Sequence, residues 1–494
     1  MSGPGVVRAD VVVVGSGPNG LAAALLCARA GLQVVVLEAE DTIGGGCRTL
    51  PMDGMPHDAG ADLMVDPCSA VHPMGGASPF FRGFDLAAHG VQMVTPPVQL
   101  AHALPGRDAI VFPADPSPGT LAEGLGSEAE ARAWWRVMGQ VAEQSLDVVA
   151  AALSDQRSVP PVAATAALAA AFARAHPRGV MSGILGDSFG PDGRTLFSGI
   201  SSHAITSLSS PAATGVGLVL GSLLHSPLGW ALPVGGSGAI TAALAAAVRD
   251  AGGEIRTGTR VGSLAQLDAR DIVFNTSSRI LGEILLASSP SPAVERRARR
   301  LTSAPVGGAA AKVDLVLSGP VPWRDQRLAG AGTVHLGGDS RAIAAAEREV
   351  AAGRHADRPM VLVSQPWVTD PGRIAADGRR PLWTYAHVPA FSEQDQTEQV
   401  LSALEAVAPG VRDVVVAARC TPAARMGDHN ANYTGGDIAA GRVDLRGLVA
   451  RPVARVDPFA TGVPGVWHAS GSTPPGPGVH GMAGQHVADR IIGG

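Results

Sequence analysis

The turn Gly15-Ser16-Gly17-Pro18-Asn19-Gly20 carries the clearest chemical signal near the start of the chain. It follows a run of valines and precedes an alanine- and leucine-rich segment, and Glu38 comes 18 residues after its last glycine. Such glycines allow a tight turn, close approach of the backbone to a pyrophosphate, and close packing of a helix on a strand. The Glu38 carboxylate suits ribose hydroxyls and would repel a 2′-phosphate. The pattern predicts a dinucleotide site with contacts from Gly15, Gly17, Pro18, Asn19, Gly20, Glu38 and Ala39.

A second glycine loop separates the two common dinucleotides, FAD and NAD, which share the first signature. The segment Asp41 to Arg48 contains Gly44, Gly45 and Gly46, and it would approach the pyrophosphate and a flavin from the other side. NAD-binding units normally have no such loop, so FAD is the predicted cofactor, with Gly45, Gly46 and Arg48 as further contacts.

A third glycine-rich segment, Gly471 to Gly481, precedes a helix predicted to begin near Met482. A helix N-terminus aimed at the pyrimidine edge of a flavin would stabilise negative charge on the reduced ring. The predicted contacts here are Gly471, Ser472, Gly478, Val479 and His480. His480 is also a candidate catalytic residue, and the alternative is a loop histidine satisfied by backbone groups.

Together these segments resemble the phytoene-dehydrogenase-related FAD oxidoreductases, which belong to the wider fold group of the amine oxidases. The resemblance runs nearly end to end and includes Gly229 to Val261 and His429 to Ile438. It implies extended FAD, a substrate domain over the flavin ring, and hydride loss from a C–C or C–N bond to flavin N5. It also implies adenosine contacts near Val261, Asn275 and Asp457. Many relatives carry Arg directly after the two glycines, where this chain has Gly46, so the role of that Arg falls to Arg48 or is lost.

Lys312 is the one lysine in the chain, in the segment Ala309 to Leu317 that reads as a half-buried strand. A charged amine among alanines is costly to bury without partners. The segment resembles the amine-oxidase strand in which a lysine holds a water against flavin N5, whereas carotenoid desaturases generally lack it. Lys312 is therefore the first candidate for catalysis, with a lowered pKa that would let it act as a base. The alternatives are a lysine facing solvent or one paired with Asp314.

Other polar residues are candidates for the substrate cavity, namely His57, His72, His203 and Tyr433. His225 is a further histidine candidate. The cluster of His429, Asn432, Tyr433 and Asp437 would form either a substrate wall or a turn that caps its own backbone. Cys47, beside the second glycine loop, is a candidate for covalent flavin attachment. No metal-ligand spacing is found among the four cysteines and the histidines.

The chain length of 494 residues predicts two or three structural units and allows an enclosed ligand cavity. Apolar residues make up 46% and charged residues 16%, which indicates a globular fold, and the net charge of −5 argues against a nucleic-acid partner. The cysteine pattern and the absence of a signal peptide or a strongly apolar 20-residue run predict a cytoplasmic protein without an integral membrane segment.

The elements that must hold these residues predict an α/β fold. Strands are expected at 10–14, 33–37, 254–255, 271–275 and 309–317, and helices at 21–30, around 128–151 and 161–175, and through 250. We expect a Rossmann-like FAD-binding domain that is discontinuous in sequence, formed by residues 1–80, 225–300 and 446–494. Residues 81–224 and 301–445 would form a mixed-sheet substrate domain with a helical insertion.

The expected function is FAD-dependent oxidation of a small or medium apolar metabolite, by a desaturase, dehydrogenase or oxidase. Since no separate nicotinamide domain is evident, oxygen or a quinone would reoxidise the flavin. A redox-neutral double-bond isomerase and a non-catalytic FAD-binding protein are the two alternatives. A homodimer is left open.

Overall fold

A computed structural model describes residues 6–155, 157–158, 160–176, 188–444, 447 and 450–493. The chain forms two large sheets, one parallel and one mixed, which confirms the expected α/β fold. The strands are β1 Val7–Val14, β2 Val34–Leu37, β3 Leu50–Pro51, β4 Met64–Val65, β5 Met93–Val94, β6 Val98–Ala103, β7 Ile110–Pro113, β8 Leu232–Pro233, β9 Glu254–Arg256, β10 Leu267–Phe274, β11 Ala309–Leu317, β12 Ala331–Leu336, β13 Val361–Ser364, β14 Arg380–Val388, β15 Val415–Thr421 and β16 Val466–His468.

Helices cover or connect the sheets. They are α1 Pro18–Arg29, α2 Pro73–Ala77, α3 Pro79–Phe84, α4 Pro118–Gly124, α5 Glu128–Glu143, α6 Ser145–Ala152, α7 Val162–Ala175, α8 Pro191–Ser201, α9 Pro211–Leu223, α10 Gly238–Asp250, α11 Ser278–Ala287, α12 Pro292–Thr302, α13 Ser340–Ala351, α14 Thr397–Glu405, α15 Val411–Val414, α16 Met426–His429 and α17 Met482–Gly493. Within the described ranges, no helix is both long and apolar enough to cross a bilayer.

The parallel sheet has the strand order β16-β10-β1-β2-β9. Its central strand β1 is buried from Val11 to Val14, as its β-branched sequence predicts for a strand covered on both faces. Helices α1 and α17 pack against each other on one side, where Gly484 of α17 lies against the backbone of Asn19. The strands come from three stretches that are far apart in sequence, while the proposed domain limits stay a prediction.

The mixed sheet has the order β15-β11-β14-β13-β12-β6-β7. Neighbouring strands are antiparallel except for β12 and β6, which are parallel. The expectation of a half-buried strand at Ala309–Leu317 is wrong, since every residue of β11 is buried. Strand β11 lies between β14 and β15, so both of its edges are hydrogen-bonded. Its two faces contact separate apolar clusters, through Val313 on one face and Val316 on the other. Lys312 therefore does not face bulk solvent.

Candidate functional site

A cavity of about 1070 Å³ lies between the two sheets. Its lining includes the carboxyl ends of β1, β2 and β10, which is where ligands bind in open parallel sheets. The same lining continues onto one face of the mixed sheet and onto the apolar sides of α7 and α9. One space thus connects the glycine turn with Lys312.

The first glycine turn is shaped by close backbone approaches. Gly15 has φ of +100°, and a Cβ on Gly17 would lie 2.6 Å from Oδ1 of Asn275. A Cβ on Gly20 would overlap the carbonyl oxygen of Gly15, and Gly20 lies outside the cavity lining. Gly20 therefore packs α1 on β1, whereas Gly15 and Gly17 face the cavity.

Glu38 links this turn to the end of β2. Its buried carboxylate accepts hydrogen bonds from the Ser16 backbone N–H at 2.9 Å, the Ser16 hydroxyl at 2.6 Å and the Glu40 N–H at 3.0 Å. Glu38 and Ala39 both line the cavity. The carboxylate is held in a fixed position beside the turn.

The second glycine loop lies directly against the first. A Cβ on Gly45 would be 3.3 Å from Cα of Gly17, and both residues line the cavity. A Cβ on Gly46 would overlap the hydroxyl of Tyr433. This contact gives a physical reason for glycine where many relatives carry arginine, because Tyr433 occupies the space that a side chain would need.

Arg48 lines the cavity and reaches towards α16. Its guanidinium donates to the His429 carbonyl at 2.6 Å and to Thr42 Oγ1 at 3.1 Å. Its Nε has no hydrogen-bond partner among the described residues. His429 stays neutral because burial, and next the charge of Arg48, lower its pKa to about 4.

The C-terminal loop separates into residues that face the cavity and residues that do not. Gly471, Gly478 and Val479 line the cavity, together with Val261 and Asn275. Ser472 lies outside the lining and is buried, where it bonds the Ser278 N–H and the Ala440 carbonyl.

The prediction that His480 contacts the cofactor or acts in catalysis is not supported, because His480 also lies outside the lining. Its Nε2 bonds the Gly476 carbonyl at 3.1 Å, and its Nδ1 accepts from the Met482 N–H at 3.0 Å. His480 thus caps the first turn of α17, which is the structural alternative stated above.

Lys312 reaches the cavity from β11 and forms an ion pair with Asp314 on the same strand. Its ammonium also lies 4.9 Å from the ring centroid of Trp383. Asp314 has a second cation, since Arg419 lies 3.5 Å away. Burial lowers the pKa of Lys312, and Asp314 opposes that shift. Lys312 therefore both pairs with Asp314 and lines the cavity, although the sequence offered these as alternatives.

Three of the four residues predicted to contact substrate line the cavity, namely His72, His203 and Tyr433. The prediction for His57 is wrong, because His57 is exposed in a turn with φ of +55° and lies outside the lining. His225 also lies outside, where its ring packs on Phe112 at 5.1 Å. His72 lines the cavity but is bonded to Ser237 Oγ at 2.7 Å, and burial lowers its pKa to about 4.

The polar segment after His429 divides between the two predicted roles. Asn432 and Tyr433 line the cavity, as a substrate or cofactor wall would. Asp437 instead accepts hydrogen bonds from the N–H groups of Gly307, Ala439 and Gly441, so it caps a turn. Asn430 bonds the Asn432 N–H and also lines the cavity.

The aromatic wall of the cavity was not predicted from the sequence. Trp383 and Tyr385 on β14 line it, with ring centroids 5.1 Å apart in an edge-to-face arrangement. Both are cross-strand neighbours of the Lys312 segment, since Lys312 pairs with Tyr385 and Asp314 with Trp383. The alternation of aromatic and small residues in β14 can be seen in the sequence and could have indicated a wall of this kind. The pairing of β14 with β11 cannot be seen in the sequence.

The thiol of Cys47 is poorly suited to covalent attachment. It is buried and donates to the Ser237 carbonyl at 3.2 Å. Burial raises its pKa well above the usual range, so the nucleophilic thiolate is scarce. Within the described ranges, no group of three or more His, Cys, Asp or Glu residues is arranged to hold a metal ion.

Residues 13–73 match the family model of an NAD(P)-binding Rossmann-like domain. A hydroxyneurosporene desaturase from Rhodobacter capsulatus is 51% identical over 56 residues, which is 11% of this chain and 11% of that protein. A human all-trans-retinol 13,14-reductase is 49% identical over 53 residues, 11% of this chain and 9% of that protein. A putrescine oxidase variant shares the fold with a TM-score of 0.61 at 17% identity, covering 99% of both chains.

Residues 13–73 are thus similar to an NAD(P)-binding Rossmann-like domain, and the solved structure shares the fold of the whole chain. This confirms the Rossmann-like fold expected from the sequence. The matched stretches span only about a tenth of the two curated relatives, and the identity to the solved structure is low. Neither likeness assigns a reaction or a substrate to this chain.

The cavity has the features that FAD requires. The turn around Gly17 offers backbone at close approach, and the carboxylate of Glu38 lies at its edge. Oδ1 of Asn19 and Nε of Arg48 are buried without a hydrogen-bond partner among the described residues, and both residues line the cavity. The guanidinium of Arg48, beside the two glycine loops, is the group of this pair that suits a phosphate-bearing ligand.

Proposed function

We propose that this chain is an FAD-dependent oxidase or dehydrogenase that oxidises a C–H bond of a small or medium apolar metabolite. The observation that carries the proposal is the continuity of the cavity, whose lining includes both glycine loops and Lys312. Bound FAD would supply a hydride acceptor at N5. A redox-neutral isomerase and a non-catalytic FAD-binding protein are the outcomes to be distinguished by experiment.

The parallel sheet would hold the cofactor. Backbone N–H groups at the start of α1 would bind the pyrophosphate, with Gly15, Gly17, Pro18 and Asn19 at the turn and Gly45, Gly46 and Arg48 across from it. Glu38 would accept hydrogen bonds from the ribose hydroxyls, and Val261 and Asn275 would line the adenosine half. Gly471, Gly478 and Val479 would contact the opposite end of the cofactor, near the start of α17.

Lys312 would act beside the reacting end of the cofactor. Because burial favours its neutral form and Asp314 favours its charged form, its ε-amine is suited to take up and release a proton. Its Nζ would hold a water, or the substrate group that loses a proton. Trp383 and Tyr385 would exclude bulk water from this end and present apolar surface to the substrate.

The apolar half of the cavity supports an apolar substrate. Its helical walls present Leu168 and Phe172 from α7 and Val216 and Val219 from α9, without a charged side chain among these four. Such a wall binds hydrocarbon by removing it from water. Oxygen or a quinone would then take the electrons from the flavin.

The flavin spectrum tests the proposal. The FAD-loaded protein should lose its visible flavin absorbance during anaerobic incubation with an apolar substrate and regain it when air is admitted. Conversion of substrate without net use of an acceptor would instead identify an isomerase. FAD binding with no spectral response and no product across apolar alcohols, amines and alkenes would contradict the enzymatic proposal.

A further inference from the structure

A row of buried histidines crosses the mixed sheet beneath the apolar half of the cavity. His102 on β6 and His335 on β12 are paired residues of adjacent strands. His203 follows α8 and lies over this row, with its Nε2 3.1 Å from Nε2 of His335. Of these three residues only His203 lines the cavity. The proposed chemistry at Lys312 does not use any of them.

All three imidazoles are neutral near pH 7. Burial lowers the pKa of His102 to about 4 and that of His203 to about 3. Burial and the neighbouring histidines hold the pKa of His335 well below its usual value. Each ring therefore carries one N–H and one bare nitrogen, and the partner of one nitrogen determines the role of the other.

A backbone carbonyl determines the tautomer of the first ring of the row, His102. Nε2 of His102 lies 2.7 Å from the carbonyl oxygen of Gly338, which can only accept. His102 therefore carries its hydrogen on Nε2, and its Nδ1 is bare. This Nδ1 has no hydrogen-bond partner among the described residues.

The second ring follows from the first. A Cβ on Gly199 would lie 3.1 Å from Nδ1 of His102 and 2.7 Å from Nδ1 of His335, so both nitrogens face the same small space beside α8. Nδ1 of His335, like that of His102, has no hydrogen-bond partner among the described residues. Two bare nitrogens at one small space in a low-dielectric interior would repel each other, whereas a hydrogen on His335 Nδ1 would be attracted to the lone pair of His102. His335 thus carries its hydrogen on Nδ1 and leaves Nε2 bare.

The tautomer of the third ring, His203, follows from that of His335 and determines which group faces the cavity. Because Nε2 of His335 is bare, His203 must donate to it from its own Nε2. Nδ1 of His203 is then bare, and the described structure gives it no hydrogen-bond partner. Trp230 packs edge-on against the ring, with centroids 5.4 Å apart, and holds its orientation.

We propose that Nδ1 of His203 accepts a hydrogen bond from a hydroxyl group of the substrate, and that His335 and His102 fix the tautomer that makes it an acceptor. The proposal deepens the proposed function, on which it rests, by giving the substrate class as an elongated apolar alcohol. A ketone or an ether, which has no hydrogen to donate, is discriminated against at this position.

The sheet also gives the length of that alcohol. Lys312 pairs with Tyr385, Tyr385 with Leu362, and Leu362 with His335, each on the next strand. Three strand spacings separate Lys312 from His335, which is roughly 14 Å. A hydroxyl bound at His203, above His335, is therefore remote from the chemistry at Lys312 and is not the group that is oxidised.

Isothermal titration calorimetry of the FAD-loaded protein with three probes tests this assignment without turnover. The probes are 1-dodecanol, its methyl ether and 2-dodecanone, and the variants are His203→Phe, His335→Phe and the control His89→Phe. His89 stacks on Phe84 outside the cavity, with centroids 4.1 Å apart. The ratio of affinities for two probes cancels most of the cost of transferring the alkyl chain from water.

We expect the alcohol-to-ether affinity ratio to be about tenfold higher in the wild type and in His89→Phe than in His203→Phe, as one net hydrogen bond predicts. In His335→Phe the preference for alcohol over ketone should decrease, because His203 is then free to change tautomer. Equal ratios in wild type and His203→Phe, a wild-type preference for the ketone, or no saturable binding of any probe to the wild type would each overturn the proposal. FAD binding and flavin reduction are measured separately, so their failure would count against the proposed function alone.

Discussion

The glycine cradle and the polar face of the mixed sheet line one cavity, but the chain builds them in different ways. The cradle consists mainly of backbone, and its main residues lie within about 30 positions of one another, from Gly15 to Gly46. The mixed-sheet face consists of single side chains from separate strands, such as Lys312, Thr333, Leu362 and Tyr385. The cradle can hold a cofactor that many proteins share, whereas the sheet face can vary one side chain at a time. We infer that the reaction and the substrate are determined on the sheet.

Replacement of Lys312 by methionine should give the largest effect and acts on the sheet face alone. FAD should remain bound, while flavin reduction by substrate or reoxidation by oxygen slows by about 100-fold, the usual scale for loss of a positioned proton-transfer group. Stopped-flow absorbance at the flavin band measures both steps. Unchanged rates for both would remove Lys312 from the mechanism.

A matched pair of glycine substitutions tests the cradle. In Gly17→Val the new side chain would meet Oδ1 of Asn275, so FAD affinity should decrease by roughly 30-fold, equivalent to about 2 kcal/mol of overpacking. Gly83→Val is the control, since nothing lies within 4 Å of its Cβ position in α3. Equal FAD affinity in the two variants, measured by fluorescence titration, would contradict the assigned pyrophosphate site.

Glu38 should show a smaller effect on the same site. Glu38→Ala removes the acceptor of the Ser16 and Glu40 hydrogen bonds and the proposed ribose contact, so FAD affinity should decrease by about tenfold. Glu38→Gln keeps the shape and one acceptor oxygen and should lie between wild type and Glu38→Ala. Full FAD occupancy of purified Glu38→Ala at low cofactor concentration would argue against the ribose contact.

Lowering the pH should reduce the stability of the folded chain through the buried histidines of the mixed sheet. The pKa of His102 is about 4 in the folded chain and about 6.5 when unfolded, so the unfolded state binds more protons between these values. Stability should therefore decrease as pH falls from about 6.5 towards 4, and His102→Phe should lose about 1 kcal/mol less than wild type over the first pH unit. Urea unfolding of both proteins at pH 6.5 and 5.5 measures this difference. An identical loss of unfolding free energy between the two pH values in wild type and His102→Phe would contradict the low pKa.

The sequence was informative where a function depends on consecutive residues. The strand, turn and helix around Gly15 to Gly20 and the acidic residue after β2 could be predicted because local backbone geometry requires glycine there. Lys312 was found because it is the one lysine in the chain.

The rest depends on pairing between distant strands. Trp383 lies next to Lys312 only because of the register of β14 on β11. His102 and His335 are neighbours only because of the register of β12 on β6. His57 shows the opposite error, since its position shortly after the second glycine loop in sequence did not place it near the cavity. Short-range patterns carry no information about such registers.

The central claim, that Lys312 lies in a buried pocket against the flavin, can be tested directly because the chain has one lysine. Reductive methylation with ¹³C-formaldehyde gives a single side-chain dimethylamine resonance, which NMR can follow against pH and FAD. We predict that this amine titrates below the range of an exposed dimethyl-lysine, and that its resonance moves when FAD binds and again when FAD is reduced. A resonance that titrates like an exposed lysine and does not respond to FAD would contradict the account.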